Sequence, residues 1–207
     1  MNTTATLHIP AHAQEVQTVE HSVWRTSIRF TLLTTLAFGI AYPLALTAIA
    51  GAVFPHKAAG SLIERNGQII GSELLAEGFA SDKYFHSRPS AAGNGYDATS
   101  SGGSNYAQSN AKLVLRMQAD IDKLAAENPG HPVPVDAVTT SGSGLDPDIT
   151  PDNAYFQAHR VAKARGLSEQ QLRQLISQHT QPRSLGLLGE PRVNVLELNL
   201  ALDNAAK

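Results

Sequence analysis

Cysteine is absent from the 207 residues of this chain. That excludes disulfides, thiolate-ligated zinc and a thiol nucleophile. Neither sign of charge dominates. The formal net charge is -2, so bulk electrostatics points to neither nucleic acid nor an anionic surface. Aromatic residues are scarce at 6%, which makes any local cluster of them informative. Hydrophobic residues reach 42%, enough for the core of one ordinary domain with an appendage.

One long stretch lacks charge altogether. Phe30 to Phe54 reads FTLLTTLAFGIAYPLALTAIAGAVF, 25 residues. About 20 helical residues cross a hydrocarbon core. Pro43 lies inside the run, and membrane helices tolerate proline. A cleaved signal peptide is the rival reading, because Ala48-Ile-Ala50 resembles a small-x-small cleavage site. The run is longer than the usual ~7–15 apolar residues of a signal peptide, and a polar segment precedes it. We therefore expect an uncleaved anchor over residues 25–54. Residues 1–24, with His8, His12 and His21 at irregular spacing, read as a polar tail. Arg25 and Arg29 lie before the span, and Lys57 and Arg65 lie after it. The two arginines are closer to the span, with Trp24 as an interfacial anchor, which favours a cytoplasmic N-terminus and an external domain over residues 55–207.

The segment Tyr84-Phe-His-Ser-Arg-Pro-Ser-Ala-Ala-Gly-Asn-Gly-Tyr-Asp-Ala-Thr-Ser-Ser-Gly-Gly-Ser-Asn-Tyr-Ala-Gln-Ser-Asn110 is the second conspicuous feature. Gly, Ser and Asn supply 13 of its 27 residues, which is linker chemistry. It also carries three of the five tyrosines, at 84, 96 and 106. That density points to an ordered loop, docked into the domain or onto a partner. Glycines allow close backbone approach, and tyrosines supply contact area with a polar tip.

The remaining pattern predicts a small α+β domain on one transmembrane helix. Leu62–Ile70 reads as two strands about an Asn66-Gly67 turn. A helix is expected over Asn105–Glu127, with Leu113, Met117, Ile121 and Leu124 on one face. Val133–Thr140 reads as a strand. Thr150-Pro151-Asp152 is a helix start, and Gly166 a left-handed stop. Ser168-Glu-Gln-Gln171 matches a capping box, with Leu172, Leu175 and Ile176 facing inward. Arg192–Leu198 alternates like a strand.

Candidate chemistry is thin. Ser109-Asn-Ala-Lys112 matches Ser-x-x-Lys, the nucleophile and lysine of penicillin-recognising enzymes. No Lys-Thr-Gly follows it, and Ser81-Asp-Lys83 departs from Ser-Asp-Asn. Asp146, Asp148 and Asp152 echo a calcium loop, but Pro151 stands where glycine is required and Gln157 where glutamate is. Arg160, Lys163 and Arg165 form a basic patch late in a helix. They suit the helix C-terminus, with a ligand or partner contact as the functional alternative. Ser141-Gly-Ser-Gly144 lacks the spacing and lysine of a phosphate loop and reads as a tight turn. No catalytic constellation and no metal site emerges. A binding or accessory role is favoured over an enzyme.

Several longer motifs occur in one order: Tyr84-Phe-His-Ser-Arg-Pro-Ser90, Ser100-Ser-Gly-Gly-Ser-Asn105, Ser141-Gly-Ser-Gly-Leu-Asp-Pro-Asp148, Arg160-Val-Ala-Lys-Ala-Arg165 and Gly189-Glu-Pro-Arg-Val-Asn-Val-Leu-Glu-Leu-Asn199. With the single N-terminal span, the chain resembles the C subunit of the Kdp-type potassium-transporting P-type ATPase over about Ile28 to Asp203. The resemblance implies a non-catalytic subunit of an ATP-driven potassium-uptake complex in the bacterial inner membrane. The implied partners are a potassium-selecting membrane subunit, an ATP-hydrolysing subunit and a small membrane peptide. The chain has no Asp-Lys-Thr-Gly-Thr phosphorylation motif. The role implied is assembly and stabilisation of the complex, together with a chaperone effect that raises ATP affinity in the hydrolysing subunit. No cofactor is assigned to this chain; the resemblance implies ATP through that subunit, and the opposite membrane orientation would allow direct nucleotide contact. On this reading Tyr84, Phe85, Arg88, Tyr96 and Tyr106 help form the contact with the potassium-selecting subunit. The alternatives are an internal role for those residues in fixing the loop, an anchored external hydrolase built on Ser109 and Lys112, and a free-standing binding module.

Overall fold

The computed structural model describes residues 20–205. Most of the expected tail, including His8 and His12, lies outside the described residues. The chain divides between Ala59 and Gly60 into two units.

The described part of the first unit is helical. Helix α1 spans Glu20–Thr34, a π-helical segment follows over Thr35–Ala41, and helix α2 spans Tyr42–Val53. The π-turn has a local cause. Pro43 brings no N–H and its ring excludes the carbonyl of the preceding turn. Just before it, the Tyr42 N–H reaches back to Ala37 O, the wider i→i−5 bond that such distortions adopt. Thr34 Oγ1 donates to Phe30 O (2.8 Å) and Thr47 Oγ1 to Pro43 O (2.9 Å). These hydroxyls of the apolar helix are thus satisfied on its own backbone, as a lipid environment requires. Val23–Val53 is long and apolar enough to cross a membrane. A short helix α3, Pro55–Ala58, follows.

The second unit mixes helix and sheet, so the chain as a whole is α+β. Strands β1 (Leu62–Arg65) and β2 (Gln68–Ser72) form an antiparallel hairpin. Asn66 (φ 55°) and Gly67 (φ 76°) both take the left-handed conformation that a type I′ turn requires. Helix α4 spans Ala111–Glu127. It begins later than Asn105 for two reasons. Asn105 has φ 51°, outside the helical region, and the Asn110 side chain accepts from Lys112 N, which caps the helix there. The Leu113, Met117, Ile121 and Leu124 face is half-buried.

Val133–Thr140 is not a strand. Val135–Val138 forms one helical turn, α5. Buried Asp136 decides this, because a carboxylate taken out of water needs hydrogen-bond donors. It accepts from Thr150 N (2.8 Å), Thr150 Oγ1 (3.0 Å) and Asn153 Nδ2 (3.1 Å).

Strand β3 (Asp148–Ile149), helix α6 (Pro151–Arg165), helix α7 (Glu169–His179), strand β4 (Thr180–Gln181), strand β5 (Arg192–Asn194) and helix α8 (Val195–Ala205) complete the unit. The three strands form an antiparallel sheet in the order β3-β5-β4. Thr150 caps α6 by accepting from Asn153 N, Gly166 closes it at φ 67°, and Ser168 and Gln171 form the capping box of α7. Arg192–Leu198 is strand only as far as Asn194, whose Oδ1 accepts from Glu197 N and opens α8. Val195, Leu196, Leu198, Asn199 and Leu202 are buried, a helical spacing that the alternating reading concealed.

The core combines Ala158 and Val161 of α6, Leu172 and Ile176 of α7, Val193 of β5, and Leu198 and Leu202 of α8. One member comes from no element at all: Phe85, fully buried.

Candidate functional site

Residues 79–110 contain no helix or strand, yet over residues 82–86 their polar backbone is partnered by side chains from elsewhere in the domain. Asn199 of α8 grips Phe85: Phe85 N donates to Asn199 Oδ1 (2.8 Å), and Asn199 Nδ2 donates to Phe85 O (2.9 Å). Gln157 of α6 treats the next residue alike. His86 N donates to Gln157 Oε1 (2.7 Å), and Gln157 Nε2 donates to His86 O (3.1 Å). Two side-chain amides stand in for the neighbouring strand that this segment lacks, satisfying groups whose burial would otherwise be costly.

Both expected arginines of the basic patch serve the same segment. Arg160 Nη1 donates to Asp82 O (2.8 Å) and Tyr84 O (3.1 Å). Arg165 Nε donates to Lys83 O (2.8 Å), its Nη2 to Asp203 Oδ1 (2.8 Å), and its guanidinium lies 4.6 Å from the centre of the Tyr84 ring. Lys163 is exposed and stands apart from this clamp. Asp203 also receives Arg65 (3.3 Å) and the Tyr84 hydroxyl (3.2 Å). Burial alone would raise the Asp203 carboxyl, but the hydrogen bonds from Arg165, Arg65 and Tyr84 outweigh it and hold the group below its ordinary range.

Further along, Arg88 Nη1 donates to Asp146 (3.0 Å) and its Nη2 to Thr139 Oγ1 (3.3 Å). The Tyr96 hydroxyl donates to Arg88 O (2.8 Å), and burial pushes its phenol up. Ser90 Oγ accepts from Ala92 N and Tyr96 N and donates to Gly144 O (2.6 Å). At Gly144 the two loops touch backbone to backbone. A Cβ there would lie 2.6 Å from Gly102 O and 2.7 Å from Ala92 N. The Ser141–Gly144 turn is therefore a contact surface for the long loop as well as a turn.

A cavity of about 240 Å³ remains between the loop, α4 and α6. Phe79, Tyr96 and Phe156 line it with rings, and His86, Asp120, Lys123, Glu127 and Arg160 are among its polar groups. His86 Nε2 bonds Ser81 O (3.1 Å). Burial, with the Arg160 charge beside it, holds the imidazole below its ordinary titration range.

The structure sorts the candidates of the long loop. Tyr84, Arg88 and Tyr96 are half-buried and bonded within the domain, Phe85 belongs to the core, and Tyr106 is 44% exposed. Ser109 and Lys112 are both exposed. Ser109 precedes the cap residue of α4, so the i,i+3 spacing that would align the pair on one helical face is not realised. Asp146 pairs with Arg88 and Asp148 with Arg192 (3.1 Å), while Asp152 lies in the first turn of α6. Among the described residues no group of acidic and histidine side chains could hold a metal ion. Sequence reasoning missed Gln157, Asn199 and Asp203. Their local signal is a polar stripe at helical spacing, Asn153, Gln157 and Arg160 on α6 and Asn199 and Asp203 on α8.

Residues 24–204 match the family model described as KdpC, the c chain of the K+-transporting ATPase. The chain belongs to the KdpC family. It is 57% identical to the potassium-transporting ATPase KdpC subunit of Rhodopseudomonas palustris strain BisB18, over 87% of this chain and 97% of that one. It is 56% identical to the subunit of the same name from Koribacter versatilis, over 86% and 92% of the two chains. The corresponding subunit of Acidobacterium capsulatum is 55% identical over 86% and 96%. As a KdpC-family member the chain is a membrane-associated accessory subunit of a potassium pump, and among the described residues one helix, Val23–Val53, is long and apolar enough to cross the membrane.

Proposed function

We propose that this subunit assembles and stabilises an ATP-driven potassium-uptake complex, and that its ordered loop over residues 84–110 contacts the potassium-selecting subunit. The observation that carries this reading is the double amide grip on Phe85 and His86. Together with the bonds of Ser90, Tyr96 and Gly102 further along, it presents the outer side of an irregular segment in one fixed shape, which lowers the ordering cost of binding. Tyr106 and residues 97–101 form the exposed side of that segment. Phe85 and Tyr84 act from behind, by fixing the loop.

The N-terminus is cytoplasmic and the domain external, in the bacterial inner membrane. The ATP-hydrolysing subunit and the small membrane peptide complete the complex. Cytoplasmic ATP then lies across the bilayer from the domain. A chaperone effect on nucleotide affinity is therefore transmitted through the membrane subunits, as a coupling between distant sites.

Two experiments test this. Tyr106→Ala should reduce co-purification of the other pump subunits while the chain itself keeps its thermal stability; unchanged assembly sinks the loop contact. Ser100→Cys, in a chain without other cysteines, should react with a membrane-impermeant thiol reagent in intact cells. Labelling only after lysis would reverse the orientation.

A further inference from the structure

Between β4 and β5 the chain reverses at a small tip. Leu187 N donates to Ser184 O (3.1 Å), and the two residues between, Leu185 (φ 55°) and Gly186 (φ 74°), both lie in the left-handed region. This is type I′ geometry, whose central places belong to Asn, Asp and Gly. Leucine in the first of them is sterically strained. Packing within the domain does little to offset that strain. Leu185 is 91% exposed, Leu187 80% and Leu188 64%. The tip is therefore unfavourable twice over in the isolated subunit, by backbone conformation and by hydration of three leucines. It is nonetheless braced. Ser184 and Leu188 exchange two backbone hydrogen bonds (2.8 and 2.9 Å), and Arg183 pairs with Glu190 beneath them.

We propose that this leucine tip is a knob that seats in an uncharged apolar socket on another subunit of the same ATPase. Strain held at an exposed position marks a functional contact, and a braced knob suits a shaped protein pocket, where pre-organisation is rewarded. Charge argues the same way. The cations that flank the tip are already paired, Arg183 with Glu190 and Arg192 with Asp148. A neutral apolar tip complements a neutral socket, whereas insertion into an anionic bilayer is normally assisted by free cations beside the apolar residues. The inference rests on membership of the pump complex, and it is independent of the loop contact proposed above.

Leu185→Asn separates the knob from a structural role, because asparagine suits the left-handed position. The free chain should be at least as stable to heat as the wild type. In the membrane-extracted pump, the amount of partner subunits retained should fall by about tenfold or more, the worth of one well-buried leucine. Full retention overturns the proposal, and so does a destabilised free chain, which would show that the tip serves the fold. The second measurement uses Leu187→Cys carrying an environment-sensitive dye. Its emission should shift to the blue in the assembled pump and remain water-like when the chain alone sits in phosphatidylethanolamine–phosphatidylglycerol vesicles. A shift in the vesicles alone would assign the tip to lipid and overturn the socket, as would the absence of any shift in the pump. Loss of assembly with Tyr106→Ala but not with Leu185→Asn sinks the knob and leaves the loop contact standing.

Discussion

Replacing Asn199 by alanine removes one side-chain amide and strands two backbone groups, the N–H and the C=O of Phe85. Both bonds are short (2.8 and 2.9 Å), and Phe85 and Asn199 are buried. A buried polar group left without a partner costs about 1–3 kcal/mol. The pair therefore costs about 2–6 kcal/mol, and local relaxation places the expected loss near the lower middle, about 3 kcal/mol. Against a total of roughly 5–15 kcal/mol for a domain, that is a severe substitution. Pulse proteolysis of the full chain in mild detergent, across a urea series, measures it. Hydrogen exchange supplies the local readout. The Phe85 amide should be protected in the wild type although it lies in irregular structure, and its exchange should quicken by about 100-fold in the variant, at 1.4 kcal/mol per factor of ten. Asn199→Asp should be as harmful at neutral pH, since a carboxylate cannot donate to Phe85 O. It should recover in part on acidification, when the protonated group regains a donor. A loss below about 0.5 kcal/mol for Asn199→Ala, within the range of ordinary surface changes, would refute the view that these amides replace a missing strand.

Gly144→Ala should cost about 3 kcal/mol or more, because it combines a left-handed φ of 67° with a Cβ at 2.6 Å from Gly102 O. Gly67→Ala, also left-handed but with open space around its Cβ, should cost about 1 kcal/mol; equal losses in thermal unfolding would contradict the packing argument. For His86 the folded imidazole titrates below its ordinary value, so the unfolded chain takes up the proton first. Its contribution is complete above about pH 6.5 and is lost as pH falls through the lowered folded value. Glu77 and Glu197, raised chiefly by burial, act in the opposite direction. The test is consequently the difference between wild type and His86→Gln, which should narrow toward acid; a constant difference from about pH 8 to about pH 5 would contradict it. Ser109→Ala should leave potassium-stimulated ATP hydrolysis by the assembled pump unchanged, and a serine-reactive probe should not label Ser109.

What the sequence determined by itself was local. The apolar run, the Asn66-Gly67 turn, the Thr150 cap, the Gly166 stop and the Ser168–Gln171 box each depend on residues close together in the chain, so their chemistry is written in order along it. The family was legible for a related reason, since its long motifs are contiguous strings. Tertiary structure decided the rest. Arg192–Leu198 carries buried residues compatible with two periods, and the Asn194 cap on Glu197 N settles the change from strand to helix. Val135–Val138 became a helical turn around Asp136, whose donors arrive from Thr150 and Asn153. The long glycine-rich loop is the clearest case. Its grips come from Gln157 and Asn199, which are 71 and 114 residues from their partners. Its glycine, serine and asparagine content describes a slack linker, and its tyrosines point to order without showing which residues impose it. Only the folded chain brings two amides and two guanidinium groups onto residues 82–86 and sets Ser90, Tyr96 and the Ser141–Gly144 turn against the rest, and the hydrogen bonds they complete are what hold it in one shape.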